Sequence, residues 1–346
     1  MLDAKEREIL EYIKNKPACS SMDIFEGISM AGSYPTVKRI LAKLKGENLI
    51  AVQGQGKGTK YSISPAYQLL QPIDLESYYQ QEVDERVIKE SFDFDLISEV
   101  LSKYSIFTEN ELLKLQTLQN TYQKNISELS EISYKKELER LAIDLSWKSS
   151  QIEGNTYSLL ETERLLKEKL TASGKTRDEA TMLLNHKDAL DFIIENPDYL
   201  MPLSTSKIED IHSLLVKELP VEKNLRKRRV GISGTNYKPL DNEFQIREAL
   251  ESSCALINKK ETVFEKALLA LVLISYIQPF MDGNKRTARI VSNAILIHHN
   301  HCPISFRTVD SIEYKKAMLL FYEQTNISNF KEIFIGQFEF AVNTYF

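Results

Sequence analysis

A short polar segment between two apolar helical stretches holds the residues that could do chemistry. Residues Ile277–Arg289 read IQPFMDGNKRTAR, after the apolar run ALLALVLISY and before IVSNAILI. Gly283 and Asn284 allow the loop to turn its backbone N–H groups inward, and the first turn of the next helix adds free N–H groups and a positive dipole end. The segment therefore predicts a loop that binds an anion.

Three side chains of this loop indicate the kind of anion. Asp282 offers the hard oxygen ligand that Mg2+ uses when it bridges phosphates. Arg286 and Arg289 are three residues apart, so both point from one face of the helix and can contact successive phosphates. The set suits a nucleoside triphosphate. Taken alone, the spacing also fits an ordinary helix N-terminus with solvated arginines and an aspartate cap.

The segment resembles the signature of the Fic family, HxFx(D/E)GNGRxxR. It reads QPFMDGNKRTAR, and the matching residues are Phe280, Asp282, Gly283, Asn284, Arg286 and Arg289. Upstream, SSQIEGN matches the family's inhibitory motif, (S/T)xxxE(G/N), through Ser149, Glu153 and Gly154. Residues 228–240 look like the β-hairpin flap over the target site, and residues 302–318 resemble the segment that follows the core motif.

The resemblance implies a mainly α-helical Fic fold with a β-hairpin flap, which transfers AMP from ATP to a protein hydroxyl. It implies Mg2+ at Asp282 and ATP phosphates at Gly283, Asn284, Lys285, Arg286, Thr287, Ala288 and Arg289. An unidentified target protein would add as a strand beside the flap residues Val230, Gly231, Ile232, Ser233 and Gly234.

Autoinhibition in cis is also implied by the resemblance. Glu153, in the motif that begins at Ser149, would pair with Arg289, which in this family fixes the γ-phosphate. A carboxylate bonded to Arg289 occupies the donor that the γ-phosphate needs. ATP would then bind with its α-phosphate facing the wrong way for attack.

Two residues depart from the family signature. Gln278 stands where active members carry the histidine that takes the proton of the target hydroxyl, and an amide cannot act as a base near neutral pH. Transfer is therefore expected to be slow or absent by the usual route. The alternative is a catalytically silent ATP-binding domain that regulates DNA binding. Lys285 replaces the second glycine of GNGR, which is similar to the Doc toxins and leaves transfer of the γ-phosphate as a further alternative.

Residues 1–64 form a separate module in this interpretation. They predict three helices and a two-stranded hairpin with a glycine-rich turn, which resembles a winged helix-turn-helix domain. The module carries 10 Lys/Arg and 7 Asp/Glu, a balance of +3 in a chain of net charge -5. Two alternatives stay open, contact with DNA or packing against a protein. The DNA-contacting residues would be Lys38, Arg39, Lys43 and Lys57.

The rest of the chain predicts a helical connector over 65–130 and a Fic domain over 131–346, with the inhibitory helix around 145–155. Long helices are predicted at 136–152, 158–170, 178–195, 206–219, 262–277, 285–300 and 311–323. Three scattered cysteines favour no disulfide framework or zinc site, and His298, His299 and His301 fit a helix C-terminus better than a metal site.

The composition indicates the class of protein and the environment in which it is expected to work. With 42% apolar and 27% charged residues it is typical of a soluble globular protein. We find no apolar run of about 18 residues and no secretory pattern at the acidic start, so a cytoplasmic location without a membrane partner is expected. A homodimer is an expectation from analogy with other winged helices and Fic domains.

Overall fold

The computed structural model describes residues 3–29 and 32–346, apart from the side chain of Lys57. The chain forms two compact units, Met1–Pro72 and Ile73–Phe346. The predicted boundary at residue 64 thus falls eight residues before the division between the units, and most of the predicted connector over 65–130 belongs to the second unit.

The first unit consists of short helices and one hairpin. Its elements are α1 (Ala4–Asn15), α2 (Ser21–Gly27), α3 (Tyr34–Gly46), β1 (Ile50–Gln53), β2 (Lys60–Ile63) and α4 (Pro65–Leu70). The strands pair antiparallel, with Gln53 opposite Lys60. The side chains at the centre of the unit are aliphatic, and they include Ile9, Ile13, Ile24, Val37, Leu41 and Leu44. Its assignment as a winged helix-turn-helix domain stays a prediction.

The second unit is almost entirely helical. After a π-helical turn at Leu96–Leu101, its long helices follow one another through irregular connections. The helices are α5 (Leu75–Tyr78), α6 (Glu109–Glu128), α7 (Glu131–Ile152), α8 (Leu159–Glu168), α9 (Arg177–Glu195), α10 (Thr205–Leu215), α11 (Glu243–Lys259), α12 (Val263–Ile277), α13 (Asn284–His298), α14 (Ser311–Gln324) and α15 (Ser328–Tyr345). The mainly α class is confirmed, although the predicted set of long helices omits α6, α11 and α15.

The centre of the second unit is α12. All its residues from Ala267 to Ile277 are buried, and most of them are aliphatic. A helix that is apolar on every side must be surrounded by other elements, and here α11, α13 and α14 pack around it. Its last residue, Ile277, leads directly into the polar loop, so the most enclosed helix of the unit positions the candidate site. In the described part of the chain, no helix combines the length and the apolar character needed to cross a bilayer.

Truncation of Leu271 to alanine tests this central role, because the side chain is completely buried in α12. We expect Leu271→Ala to lower the free energy of unfolding by about 2–5 kcal/mol, since it removes buried methyl groups and leaves a cavity. Denaturation followed by fluorescence of Trp147, the one tryptophan, reports on this unit. Leu160→Ala is the control, because Leu160 is 76% exposed, and it should change stability by less than about 0.5 kcal/mol. Equal midpoints for the two variants would contradict the expectation.

Candidate functional site

The polar loop turns between α12 and α13 at two residues with left-handed backbone. Gln278 ends α12 with φ of 51°, and Gly283 precedes α13 with φ of 80°. A β-carbon on Gly283 would meet only ordinary contacts, at 3.5 Å from Arg286 and His212. The backbone conformation, rather than the available space, therefore favours glycine at this position.

The side chain of Asn284 fixes the shape of this loop. Its Oδ1 accepts a hydrogen bond from the Phe280 N–H at 2.8 Å, and its Nδ2 donates to the Phe280 carbonyl at 2.8 Å and to Gln278 Oε1 at 3.0 Å. The Phe280 ring stacks on His212 with 3.7 Å between centroids, and His212 Nε2 lies 3.0 Å from the Asp282 carbonyl. These contacts hold the loop in shape. The side chain of Asn284, which was predicted to bind phosphate, makes three of them.

Gln278 is engaged at both ends of its amide. Nε2 donates to the Ser275 carbonyl at 2.6 Å and to the Tyr322 hydroxyl at 3.3 Å, while Oε1 accepts from Asn284. Burial raises the pKa of Tyr322 well above its ordinary value, so that neighbour is no base near neutral pH either. The position where the family signature has a histidine is therefore occupied by a group that supports the loop and takes no proton.

Arg289 is completely buried and its main contacts come from the end of α7. Nε donates to Ser149 Oγ at 2.8 Å, and Nη2 donates to the Ser149 carbonyl at 3.0 Å and to Glu153 Oε1 at 2.7 Å. The guanidinium also lies 5.2 Å from the centre of the Tyr314 ring. The structure thus brings Arg289 together with Ser149 and Glu153, which lie 140 and 136 positions before it in sequence.

Glu153 is shared between two cations. Its Oε2 lies 3.4 Å from Lys285 Nζ, and its side chain is 20% exposed. Burial raises the pKa of Glu153, but the charges of Arg289 and Lys285 outweigh that effect, so the pKa lies below its ordinary value. Glu153 is also the residue that ends α7, and Gly154 follows it with φ of 101°.

Free donors accompany this ion pair. Arg286 is 1% exposed and donates from Nη2 to Asp282 Oδ2 at 3.1 Å, but its Nε and Nη1 have no hydrogen-bond partner among the described residues. The same holds for Nη1 of Arg289. Burial and the charges of Arg289 and Arg286 place the pKa of His186 well below its ordinary value, so this buried neighbour is neutral. Unpaired buried cationic donors cost free energy, and an anion would satisfy them.

A cavity of about 370 Å³ opens beside these groups, which is within the size range of small-molecule sites. The polar loop, the end of α7, the flap segment and α14 form its wall. The lining residues include Glu153, Val230, Ile232, Gln278, Asp282, Gly283, Asn284, Lys285, Lys315, Met318 and Tyr322. Four residues predicted to bind ATP are buried and absent from this lining: Arg286, Thr287, Ala288 and Arg289.

The predicted β-hairpin flap is wrong in its secondary structure. Residues 228–240 run without an assigned strand, and they turn at Ser233 and Gly234. The guanidinium of Arg226 explains the difference, since it is completely buried and donates to the carbonyls of Arg228, at 2.9 Å, and Leu240. It therefore joins the two ends of the segment in place of a strand ladder. We keep the name flap for residues 228–240.

Arg226 is a residue that sequence reasoning missed. Its Nε also donates to the Gln278 carbonyl at 2.6 Å, so one side chain ties the base of the flap to the polar loop. Burial lowers the pKa of Arg226 from its ordinary value. The run RKRR reads as a solvated basic patch, but only its first arginine is buried. The signal for a structural role was the position of that arginine, directly after Leu225, which is 2% exposed.

Three of the four basic residues predicted to bind DNA lie on α3 of the first unit, and Lys57 lies between β1 and β2. Lys38, Arg39 and Lys43 are exposed, whereas the side chain of Lys57 lies outside the described residues. Lys43 contacts the buried carboxylate of Glu6, so part of its charge is neutralised within the unit. DNA binding stays a prediction.

The histidines near the end of α13 make contacts within the protein. His298 Nδ1 lies 3.0 Å from Asp198, and His301 contacts the carbonyl of His299.

Comparison with known proteins decides the family. Residues 202–296, which include the whole flap and the polar loop, match the model of the Fic/DOC family. The chain carries a Fic/DOC family domain. A relative from Nematostella vectensis, named protein adenylyltransferase Fic, is 29% identical over 54% of this chain and 43% of its own length. Protein adenylyltransferase fic-1 of Caenorhabditis elegans is 28% identical over 48% of this chain and 34% of its own. The match thus spans less than half the length of these curated relatives.

Solved structures agree on the Fic fold. Fic-1 from C. elegans superposes with a TM-score of 0.59 at 20% identity, over 68% of this chain and 72% of that one. A Fic-domain signalling protein from Bacteroides thetaiotaomicron gives 0.58 at 19% identity, over 67% of this chain and 95% of that one. The predicted family and the helical Fic fold are therefore confirmed.

The ion pair of Glu153 predicts a pH dependence of stability. Because the pKa of Glu153 is lowered by folding, the pair stabilises the fold above the ordinary value of about 4.3, and this contribution is lost as pH falls through the lowered pKa. We expect Glu153→Gln to lower the free energy of unfolding by about 1.5–3 kcal/mol at neutral pH and by less below about pH 4.

The free energies of unfolding of wild type and Glu153→Gln are measured at neutral pH and below about pH 4, by denaturation followed through the fluorescence of Trp147. Glu163→Gln is the control, because Glu163 pairs with Lys167 at the surface, with 42% of its side chain exposed, and should matter little at either pH. A loss of stability in Glu153→Gln that is the same at both pH values would contradict the assignment.

Proposed function

We propose that this chain is a Fic-type protein adenylyltransferase, which transfers AMP from ATP to a hydroxyl of a target protein and is held inactive by Glu153. One observation carries the proposal. The carboxylate of Glu153 covers Arg289 at 2.7 Å, beside the unpaired donors of Arg286 and the N-terminus of α13. The names of the curated relatives support the reaction class.

The donors of the site fit the phosphates of ATP. The first N–H groups of α13 have no partner within a helix, and the helix dipole adds positive potential at the same end. Lys285 lines the cavity and adds one full charge there, and the buried Arg286 adds a second charge next to Asp282, which also lines the cavity. Since Thr287 donates its N–H to the Gly283 carbonyl at 2.9 Å, the backbone contribution of this helix is limited to the residues before it.

Asp282 fits Mg2+ through the chemistry of its side chain. The carboxylate is 64% exposed and contacts Arg286 from one oxygen. Mg2+ is commonly held by one or two carboxylates together with substrate phosphates. When bound there, Mg2+ would neutralise charge on the phosphates and would orient them.

The contact between Glu153 and Arg289 supports inhibition within one chain. A phosphate that needs the Arg289 donor has to displace a carboxylate that already holds it with a short, charge-assisted hydrogen bond. Lys285 contacts the other oxygen of the same carboxylate, so opening of the inhibitory contact frees two cations for the nucleotide.

The proposed reaction is a single displacement at phosphorus and needs no covalent enzyme intermediate. The hydroxyl oxygen of the target attacks the α-phosphorus, the bond from that phosphorus to the oxygen bridging it to the β-phosphorus breaks, and pyrophosphate leaves. The hydroxyl proton must go to a base, and Gln278 takes none. In this chain the proton passes to water, at a loss of about 10²–10⁴ in rate relative to a positioned base.

The flap provides the place for the target. Residues 230–233 all line the cavity, and Gly231 and Ser233 are also exposed to solvent. The backbone of residues 230–233 makes no hydrogen bond to any other residue that the structure describes. An extended target segment can therefore pair with this backbone and bring its hydroxyl to the cavity.

One observation favours a second function, which is ATP binding without transfer. The amide of Gln278 contacts Ser275, Tyr322 and Asn284, and this leaves little of it to orient a hydroxyl. A domain of this kind would sense ATP through the same phosphate-binding groups.

Labelled ATP separates these functions. The chain is incubated with Mg2+ and ATP labelled at the α-phosphate, as wild type, Glu153→Gly, Gln278→His and the double variant, and label on the protein itself is measured. We expect no label on wild type, weak label on Glu153→Gly, and label about 10²–10⁴ faster on the double variant, because it also regains the base.

The pattern of label identifies the function that holds. Label only on the double variant would mean that the natural chain binds ATP and is silent. Label from the γ-phosphate in place of the α-phosphate would indicate a Doc-like kinase. ATP binding by calorimetry that is absent in all four proteins would exclude both candidates.

A further inference from the structure

Residues 74–93 form a strap that lies across the helical core of the second unit. The Lys89 N–H donates to the Glu323 carbonyl at 2.8 Å, near the end of α14. Phe92 stacks on Tyr276 of α12 with 4.7 Å between ring centroids, and the Asp93 N–H donates to the Tyr276 hydroxyl at 3.0 Å. The strap is therefore fixed to two helices whose other residues line or lead to the candidate site.

The strap inserts one arginine into the protein. The side chain of Arg86 is 2% exposed, and its Nη2 lies 3.5 Å from Oε1 of Glu323, which is fully buried. The Tyr78 hydroxyl donates to the other oxygen of Glu323 at 2.7 Å, and the Tyr79 ring lies 4.9 Å from the guanidinium. Buried charges are retained where they are paired and hydrogen-bonded, and this arginine has both an acidic partner and two aromatic neighbours.

The same guanidinium contacts the flap. Nη2 of Arg86 donates to the Gly234 carbonyl at 2.7 Å, at the turn where Gly234 adopts φ of 87°. Two further contacts continue along the flap, since Asn236 donates to Asp84 at 2.9 Å and the Lys238 N–H donates to the Glu90 carbonyl at 2.7 Å. The outer half of the flap is therefore tied to the strap.

These contacts matter because the flap has no ladder of its own. A segment without a strand partner keeps much of its conformational freedom, and a target strand that pairs with it must order it first. We propose that Arg86 is a positioning residue for target binding, which anchors the Gly234 carbonyl and holds residues 230–233 beside the cavity. The link to a target rests on the proposed function, whereas the anchoring of the flap does not.

A spin label on the flap tests the anchor. Ser233 is exposed and the three native cysteines are buried, so Ser233→Cys in the full chain takes a nitroxide selectively. In this background the double substitution Arg86→Gln and Glu323→Gln removes both charges, so that no unpaired buried charge disrupts the fold. Lys89→Ala is the matched control, because Lys89 contacts Asp93 and Thr325 and leaves the flap untouched.

The nitroxide spectrum should show a slowly moving label in the parent and in Lys89→Ala, and a mobile label in the double substitution. Unchanged ATP affinity, within about twofold, and an unchanged unfolding midpoint would show that the effect is local. Equal mobility in all three proteins would overturn the proposal, and so would mobility gained only together with a general loss of stability.

A second measurement connects the anchor to transfer. In the chain with Glu153→Gly and Gln278→His, without the spin label, the double substitution should slow self-labelling from ATP by about 10-fold or more, which corresponds to one charge-assisted hydrogen bond. Self-labelling at the parent rate would overturn the role in target binding. If the parent itself takes no label from ATP, the proposed function fails. The mobility of the nitroxide alone then decides whether Arg86 anchors the flap.

Discussion

The guanidinium of Arg289 is enclosed by protein on every side, and a charge in that position requires a negative partner. Glu153 is that partner, and Ser149 accepts two further hydrogen bonds from Arg289 through its hydroxyl and carbonyl oxygens. The need for this partner constrains where three helices lie relative to one another. The end of α7 has to reach the first turns of α13, and α12 has to end where it does for α13 to begin there. Any ligand that takes the place of the carboxylate must also be an anion, which is the physical basis for the competition between the inhibitory contact and a phosphate.

Two other buried arginines organise the flap in the same way. Arg226 contacts the carbonyls at the base of the flap, and Arg86 contacts the carbonyl at its turn. Each guanidinium has several donors in one plane, so a single side chain can satisfy carbonyl groups that a strand ladder would otherwise satisfy. Among the described residues, none makes a hydrogen bond to the backbone of residues 230–233, which lie between the two anchors. A flap of this construction is ordered at its ends and open along its edge.

Local patterns predicted much of this domain, because they depend on neighbouring residues. The apolar run of α12 and the Gly-Asn turn after it place the helix boundaries within two residues of those observed, at Ile277 and Asn284. The contact between Glu153 and Arg289 was implied by the resemblance to the family's inhibitory motif. The resemblance of residues 228–240 to a β-hairpin predicted strands, and there it failed, because the ends of the segment are joined by Arg226 instead of by a strand ladder. A further contact that holds the flap comes from Arg86, 148 positions away from Gly234 in sequence, and no periodicity reports on it.

The position of Glu153 directly after the last residue of α7 has a consequence for how fast the site can change state. The helix is buried from Leu141 to Ser146, so the body of α7 cannot shift without disturbing the core. Its last turn is buried as well, at Ser149, Ser150 and Ile152, so movement can begin only at Glu153 and Gly154, which follow the helix and are not buried. The equilibrium between the closed and the accessible site is then set by the local free energy of moving these two residues, and it relaxes on the timescale of local backbone and side-chain motion rather than that of global unfolding.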